Sequence, residues 1–223
     1  MNLQEIIENR RNVKPQFFTG ETVSDDLVKQ LLESANWAPT HRYTEPWRFV
    51  VFSGLARFDL GAFQSEVYKE NTSTDNFDVN KFEKLLKTPA LASHVIAVIA
   101  KNSKDPKIPF VEEIAATSCA IQNILLTAAS MDIAVHWSSG AMTQTNAMKS
   151  YLGFDSEDAV VGFLYLGKCD HRINRPGKRL SEIADRQAGD NLCVTFFVLG
   201  QSQNIRWRMT DYRFVIVHSQ GSL

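Results

Sequence analysis

Cysteine is scarce in this chain of 223 residues: the three present, Cys119, Cys169 and Cys193, form no C-x-x-C motif or other paired spacing. Disulfide frameworks and structural zinc sites depend on cysteines in such pairs, so the sequence favours neither. The five histidines show no H-E-x-x-H motif or similar spacing, which argues against a metal hydrolase. We therefore expect no metal ligands and a reducing, cytoplasmic location.

Long apolar runs and a charge excess of one sign are also missing. No stretch of about 18 apolar residues occurs, and the N-terminal segment reaches Glu5 and Glu8 without the apolar run of a secretory signal. The net charge of −1 gives no bulk field that would draw the chain to nucleic acid or to an anionic membrane. With 44% hydrophobic and 22% charged residues, the composition is that of a globular protein with a sizeable core.

Nucleotide-binding fingerprints are absent or incomplete. No G-x-G-x-x-G motif is present, so we expect no Rossmann-type site for a nicotinamide cofactor. Residues 162–169 come within one residue of the phosphate-loop pattern G-x-x-x-x-G-K-[ST], but Cys169 stands where the magnesium-binding hydroxyl belongs. The residues between the two glycines are large and apolar, so this segment predicts a buried strand.

What the chain does contain is an alternation of helical and strand-like patterns. Apolar positions at helical spacing predict one helix that ends near Arg10, one between Ser24 and Pro39, and others at 54–70, 78–87, 109–130 and 146–152, the last stopped by Gly153. Short apolar runs predict strands at 48–52, 94–100, 133–135 and 159–166. Strands that alternate with helices are typical of an α+β or α/β sandwich.

The segment 109–130 is the longest helical candidate. One apolar stripe on it is formed by Ile114, Ile121, Leu125 and Ala129. Small residues at 115, 116 and 120 would let another helix approach closely. Periodicity alone leaves two interpretations open: a central helix of a dimer interface, and an ordinary buried helix.

Two polar clusters stand outside the apolar patterns: Arg10-Arg11-Asn12, where the first helix ends, and the Pro-bounded loop 38–47. They supply guanidinium groups, hydroxyls and the imidazole of His41, which suit a planar, phosphorylated ligand because arginine binds phosphate bidentately. The alternatives are structural. Cations are favoured at a helix C-terminus, His41 would be a solvated loop residue, and Trp37 would be the last apolar residue of its helix.

On these motifs the chain resembles the FMN-dependent nitroreductase family, and in particular its small single-domain members. That family opens with an Arg-Arg-Ser-type triplet, then Ala-Pro-Ser/Asn, then Gln-Pro-Trp before a strand. Here the corresponding segments read Arg10-Arg11-Asn12, Ala38-Pro39-Thr40 and Glu45-Pro46-Trp47. The resemblance implies an α+β fold: a nitroreductase-like α/β sandwich whose central, mostly antiparallel sheet is flanked by helices. It also implies an intertwined homodimer with flavin at the subunit interface.

The resemblance extends over roughly residues 1–187, which we expect to form the flavin domain. Residues 188–223 resemble no segment of the family and are expected to be a C-terminal extension of unknown role. Within that extension, 192–199 and 214–217 are apolar runs. They are compatible with strands that cross to a partner subunit, and equally with an appendage that has no structural role.

The resemblance also implies which residues meet the flavin. The triplet Arg10, Arg11 and Asn12 would reach it from the other subunit, with Asn12 in place of the commoner serine. Trp37 and His41 would contact it as well, although Trp37 stands where a basic residue is usual. Late in the domain one basic residue would bind the phosphate; the candidates are Arg175, Lys178 and Arg179.

A fourth group of implied contacts follows a short strand and consists of Trp137, Ser138, Ser139 and Gly140. A polar turn that ends in glycine exposes backbone amides, which can donate to the edge of a flavin ring without adding bulk. The structural alternative is an ordinary tight turn. No side chain in any of the groups is implied to be a catalytic acid or base.

The resemblance implies an FMN-dependent oxidoreductase with a ping-pong scheme. NADH or NADPH would pass a hydride to the flavin, leave, and be replaced by a small electron-poor acceptor such as a nitroaromatic or a quinone. Two alternatives stay open: a flavin-binding protein without turnover, acting as a sensor or store, and reductive dehalogenation or flavin fragmentation on the same fold. The segment 64–80 is the candidate lid that the last alternative would need.

Overall fold

The computed structural model describes residues 2–170, 205–210 and 213–218. The α-helices of this part of the chain are α1 (Leu3–Asn9), α2 (Asp25–Ala35), α3 (Ala56–Glu70), α4 (Val79–Lys87), α5 (Phe110–Ser130) and α6 (Asn146–Tyr151). The strands are β1 (Trp47–Phe52), β2 (His94–Ala100), β3 (Ala134–Ser138), β4 (Ala159–Gly167), β5 (Ile205–Thr210) and β6 (Arg213–His218). No helix among the described residues is long and apolar enough to cross a membrane.

The first four strands form one antiparallel sheet in the order β1-β2-β4-β3. Central strand β2 pairs with both β1 and β4, so that Ala97 lies opposite Val50 on one side and Phe163 on the other. All seven residues of β2 are buried, as expected of a strand covered on both faces. The prediction of an α+β fold with an antiparallel central sheet is confirmed.

Helices cover both faces of this sheet because successive side chains of a strand point to opposite faces. On one face, Ile96 and Val98 of β2 pack with Leu31 of α2 and Ile121 of α5. On the other face the core holds the alternate residues Val95, Ala97 and Ile99 of β2, together with Leu60 of α3 and Met148 of α6. The sandwich predicted from the sequence is therefore present in the described residues.

Helix α5 buries half of the apolar stripe found in the sequence. Ile121 and Leu125 are buried, whereas Ile114 and Ala129 are half-buried. The buried positions are Glu113, Ala116, Thr117, Ala120, Ile121, Ile124, Leu125 and Ala128. Several of these are small residues, so apolar periodicity marks only part of the face that packs on α2 and the sheet.

Two predicted element ends also need correction. Helix α2 begins after Ser24 as predicted, but it ends at Ala35, and Trp37 lies in a turn in which its amide donates to the Ser34 carbonyl at 3.3 Å. Bonds of this tighter i to i+3 type are usual at helix C-termini. Strand β3 continues to Ser138, so Trp137 and Ser138 pair with β4 instead of following the strand.

Strands β5 and β6 pair antiparallel in a two-stranded sheet of their own. They belong to a compact unit separate from the one that holds β1–β4. The apolar run 214–217 lies within β6, whereas 192–199 lies outside the described residues.

Gly162, the first glycine of the apparent phosphate-loop pattern, lies within a strand: residues 162–167 belong to β4. This glycine lies in β4, opposite the end of β3, and a Cβ atom on it would lie 2.8 Å from the carbonyl oxygen of Ser138. The same atom would also collide with Nε1 of Trp137. Glycine is therefore required here so that β3 can approach β4 closely and carry Trp137 and Ser138 in their observed positions.

We predict that Gly162→Ala destabilises the protein by about 1–3 kcal/mol, the usual result of overpacking a core. Urea denaturation of the variant and the parent protein measures the difference in unfolding free energy. Gly140→Ala is the matched control, because a Cβ atom there meets no atom within 4 Å. Equal stability of the Gly162→Ala and Gly140→Ala proteins would contradict the close packing of β3 on β4.

Candidate functional site

Asn12 is bound to the outer edge of β3. The backbone amide of Trp137 donates to Oδ1 of Asn12 at 2.8 Å, and Nδ2 of Asn12 donates to the Trp137 carbonyl at 3.5 Å. One residue further on, the Val13 amide donates to the Val135 carbonyl at 2.9 Å. Segment 12–13 thus pairs with the edge strand. The side-chain amide of Asn12 is long enough to bind both the amide and the carbonyl group of Trp137, whereas the side chain of the commoner serine is shorter.

The two arginines of the triplet lie where α1 ends. Arg11 uses one guanidinium nitrogen to donate to the Glu8 carbonyl at 2.6 Å and to the Arg10 carbonyl at 3.0 Å. This contact satisfies carbonyl groups that a helix C-terminus leaves without partners. Arg10 and Arg11 are both half-buried. The structural interpretation, a cation at a helix end, therefore applies to Arg11.

The end of β3 leads into an exposed turn. The ladder between β3 and β4 ends with the pair Ser138 and Phe163, and the next two residues, Ser139 and Gly140, are exposed. The Gly140 carbonyl is held by the Thr143 amide at 2.9 Å and by the Thr143 hydroxyl at 2.7 Å. The structure therefore brings the predicted 137–140 segment next to Asn12, with its last residues open to solvent.

A pocket of about 360 Å³ reaches β3 at His136, the residue before this segment, and is rich in cations. It is lined by Lys14, Pro15, Gln16, Asn80, Glu83, Lys84, Lys87, Thr88, Leu91 and His136. Glu83 is engaged by Lys87, whose ammonium group donates to it at 2.6 Å. The charges of Lys87 and Glu83 offset each other. The charges of Lys14 and Lys84 then make the pocket positive, which suits an anionic or electron-rich ligand.

His136 lines this pocket and has one ring nitrogen without a hydrogen-bond partner. Burial, followed by the ammonium groups of Lys14 and Lys84, lowers the pKa of His136 below its ordinary value of 6.5. Its Nδ1 atom and the indole Nε1 of neighbouring Trp137 are buried without a hydrogen-bond partner. Buried polar atoms without partners are uncommon and often mark the place where a ligand or water completes the bonding.

The other predicted cluster lies on a different element. Trp37 is 87% exposed, and His41 belongs to a loop that is tied to the first turn of α5, where Nδ1 of His41 lies 2.5 Å from Oε2 of Glu112. The remaining candidates, Arg175, Lys178 and Arg179, lie outside the described residues. Among the residues that are described, no group of three or more His, Cys, Asp or Glu side chains could hold a metal ion.

Sequence reasoning missed three residues of the pocket: Lys14, Lys84 and His136. Lys14 could have been found, because it follows Asn12 by two residues on the segment that pairs with β3. No signal in the sequence connects Lys84 on α4 with His136 on β3, since only the fold brings these two elements together around the pocket.

A family model described as the nitroreductase family matches residues 7–168. The chain belongs to the nitroreductase family. As a member of it, the chain is an oxidoreductase. The family resemblance inferred from the two polar clusters is thus confirmed.

Individual relatives agree with this assignment. YdjA of Escherichia coli K12, provisionally assigned as an NAD(P)H nitroreductase, is 28% identical over 180 residues, which are 79% of this chain and 95% of YdjA. A nitroreductase-like protein of Bacillus cereus superposes with a TM-score of 0.66 at 25% identity, covering 77% of this chain and 87% of its own. A Desulfovibrio desulfuricans structure in complex with FMN has the same fold, with a TM-score of 0.62, 20% identity, and 85% and 98% of the two chains covered.

The lowered pKa of His136 predicts a specific pH dependence of stability. Because the folded protein disfavours the protonated ring, the unfolded chain binds that proton more readily. The stability contributed by neutral His136 is present above the ordinary pKa of 6.5. It is lost as the pH falls from there through the lower pKa of the folded state.

We expect His136→Asn to flatten the dependence of unfolding free energy on pH just below this value, when urea denaturation is compared at about pH 7.5 and about pH 5.5. Aspartates and glutamates titrate in both proteins, so the difference between the two profiles isolates His136. A variant whose profile runs parallel to that of the parent protein would contradict this assignment.

Proposed function

We propose that this nitroreductase-family chain is an FMN-dependent oxidoreductase that transfers reducing equivalents from NADH or NADPH to a small, electron-poor acceptor such as a nitroaromatic or a quinone. The observation that carries the proposal is the cluster at β3: Asn12 bound to Trp137, the exposed turn 139–140, and the cationic pocket beside them. The provisional assignment of YdjA and the FMN in the Desulfovibrio structure point the same way.

The residues of this cluster fit the chemistry of FMN, which combines an anionic phosphate, a large apolar ring and a polar pyrimidine edge. The positive charge of Lys14 and Lys84 at the pocket matches electron-rich atoms of such a ligand. The exposed amides that follow β3 at Ser139 and Gly140 match acceptor atoms on a ring edge. Arg10 is proposed to bind the phosphate, next to Arg11, which holds the carbonyl groups at the end of α1.

The chain's own part in the reaction would be electrostatic. When bound, FMN supplies the hydride chemistry that no amino-acid side chain provides. Lys14 and Lys84 would stabilise negative charge on the ligand in the pocket beside β3. Asn12 would hold the backbone of Trp137 so that the turn after it keeps its position, and no side chain is assigned as a general acid or base.

We further propose that the active species is an intertwined homodimer with flavin at its interface. In one chain the two predicted clusters lie on different elements: Asn12 is bound to β3, whereas His41 is bound to α5. A second copy would let the β3 cluster of one subunit and the loop 37–45 of the other meet one ligand. One exposed face of α5 supports this, because the residues that follow one another along it are uncharged: Val111, Ala115, Cys119 and Gln122. The exposed Glu112 is in contact with His41.

This proposed dimer differs in one respect from the sequence-based expectation, which is that Arg10, Arg11 and Asn12 reach the flavin from the other subunit. Because Asn12 bonds to Trp137 of the same chain, we assign Arg10, Arg11 and Asn12 to the same half of the site as the 137–140 segment. Trp37 and His41 would then be the residues supplied by the other subunit. The division into a flavin domain at 1–187 and an extension at 188–223 is part of the same proposal.

The purified protein should contain FMN and not FAD. We expect a yellow protein whose bound flavin is released on denaturation, runs as FMN in chromatography and is bleached by NADH or NADPH under anaerobic conditions. A colourless protein that cannot be reconstituted with FMN would disprove the cofactor assignment. Bound FMN that neither nicotinamide reduces would favour the alternative of a flavin-binding sensor or store.

Arg10→Ala should weaken FMN binding by about 1.5–3 kcal/mol, the usual contribution of a hydrogen bond to a charged group. Quenching of FMN fluorescence gives the dissociation constant, and size-exclusion chromatography with light scattering checks the dimer. Lys29→Ala is the control, because this exposed cation of α2 pairs only weakly with Glu33 at 4.0 Å. If Arg10→Ala binds FMN as tightly as Lys29→Ala while both are dimeric, Arg10 is merely a helix-end cation.

A further inference from the structure

The loop that carries His41 has an unusual backbone. Three of its non-glycine residues have positive φ angles: Arg42 at 52°, Tyr43 at 56° and Glu45 at 42°. The left-handed region is unfavourable for such residues because the Cβ atom comes too close to the following carbonyl oxygen. A strained conformation of this kind persists only when surrounding contacts hold it, and such loops cluster at ligand sites.

Most contacts that hold the loop are internal to it. The Thr40 hydroxyl oxygen accepts from the Glu45 amide at 3.2 Å and lies 3.1 Å from the Thr44 hydroxyl. The Thr44 amide donates to the His41 carbonyl at 3.2 Å. The contact between His41 and Glu112 differs from these, since it joins the loop to another element, the first turn of α5.

This contact also decides which atom of the imidazole is left for a ligand. Nδ1 of His41 lies 2.5 Å from Oε2 of Glu112, and a carboxylate at this distance accepts a hydrogen bond, so Nδ1 carries the proton. The remaining nitrogen, Nε2, is then the one that can meet a ligand. Both side chains are about half exposed, at 47% for His41 and 45% for Glu112, so a ligand can approach the imidazole. A carboxylate that fixes the orientation of a histidine is a common way to tune the outward nitrogen.

We propose that Glu112 is a positioning residue for the flavin site and acts through His41. It fixes the proton on Nδ1, directs Nε2 toward the ligand, and anchors the strained loop 42–45 to α5. The ligand part of this inference rests on the proposed function, because it requires that the protein binds FMN and that His41 meets it. The tautomer part stands on the observed geometry alone.

The tautomer of His41 is measured by nitrogen NMR of the protein as purified, labelled with 15N at its histidines. His41→Asn identifies the signals of His41 among the five histidines. We expect Nδ1 to carry the proton in the parent protein, and Glu112→Ala to shift the His41 ring signals toward those of a solvated imidazole. Unchanged His41 signals in Glu112→Ala would overturn the inference.

A double-mutant cycle on FMN affinity tests whether Glu112 acts through His41. Glu112→Ala should raise the FMN dissociation constant by about 3- to 10-fold, the effect of one hydrogen bond. In a His41→Asn background the same change should have no further effect. Asp26→Ala is the control for removing an exposed carboxylate from the first turn of a helix, and it should leave FMN affinity unchanged.

The outcomes separate the two proposals. Absence of FMN binding by the parent protein would disprove the proposed function and the ligand part of the inference, while the NMR result still decides whether Glu112 sets the tautomer. FMN binding that Glu112→Ala leaves unchanged would overturn the inference alone. If Glu112→Ala weakens FMN binding equally in the parent protein and in His41→Asn, the inference is overturned too, because Glu112 would then act on α5 and not through His41.

Discussion

The burial of β2 on both faces is the constraint on which the rest of the structure depends. Seven consecutive buried residues can pair only in the middle of a sheet, so β2 lies between β1 and β4 and two helical layers enclose it. This arrangement leaves β3 as an edge strand with backbone groups available for pairing. Segment 12–13 covers part of that edge through Asn12 and Val13, and the turn at its end is the place where we propose that flavin binds.

The candidate site thus consists of two halves that are held in different ways. The β3 half is held by backbone geometry. Gly162 has no Cβ atom and so lets β3 pack closely on β4. On the other side of β3, the side chain of Asn12 bonds to the backbone of Trp137 as a neighbouring strand would. The half that carries His41 is a loop with three strained residues, anchored to α5 through Glu112. Arg48 of β1 also holds this loop, by donating to the Glu45 carbonyl at 2.8 Å. A paired strand and a loop anchored through side chains respond differently to ligand, and we expect the loop to be the part that adjusts when FMN binds.

Local patterns in the sequence were enough to predict most elements of the fold. The β-branched run 94–100 predicted β2, and Ser24 predicted the start of α2. Gly153, which has a φ of 81°, predicted the end of α6. The buried face of α5 was only partly marked by its apolar stripe, of which Ile121 and Leu125 are buried, because many of its other buried residues are small. The main site contacts were equally out of reach: Asn12 and Trp137 are 125 residues apart, and His41 and Glu112 are 71 apart. Such contacts arise from topology, which local spacing does not encode.

A crystal structure of the full chain with FMN tests the central claim most directly. We predict a dimer in which each FMN lies beside residues 137–140 and the Lys14–Lys84 pocket of one subunit, with His41 supplied by the other subunit and its Nε2 atom turned toward the ligand. FMN bound away from β3, or a monomer that holds FMN without a second copy of the loop 37–45, would contradict the proposed site.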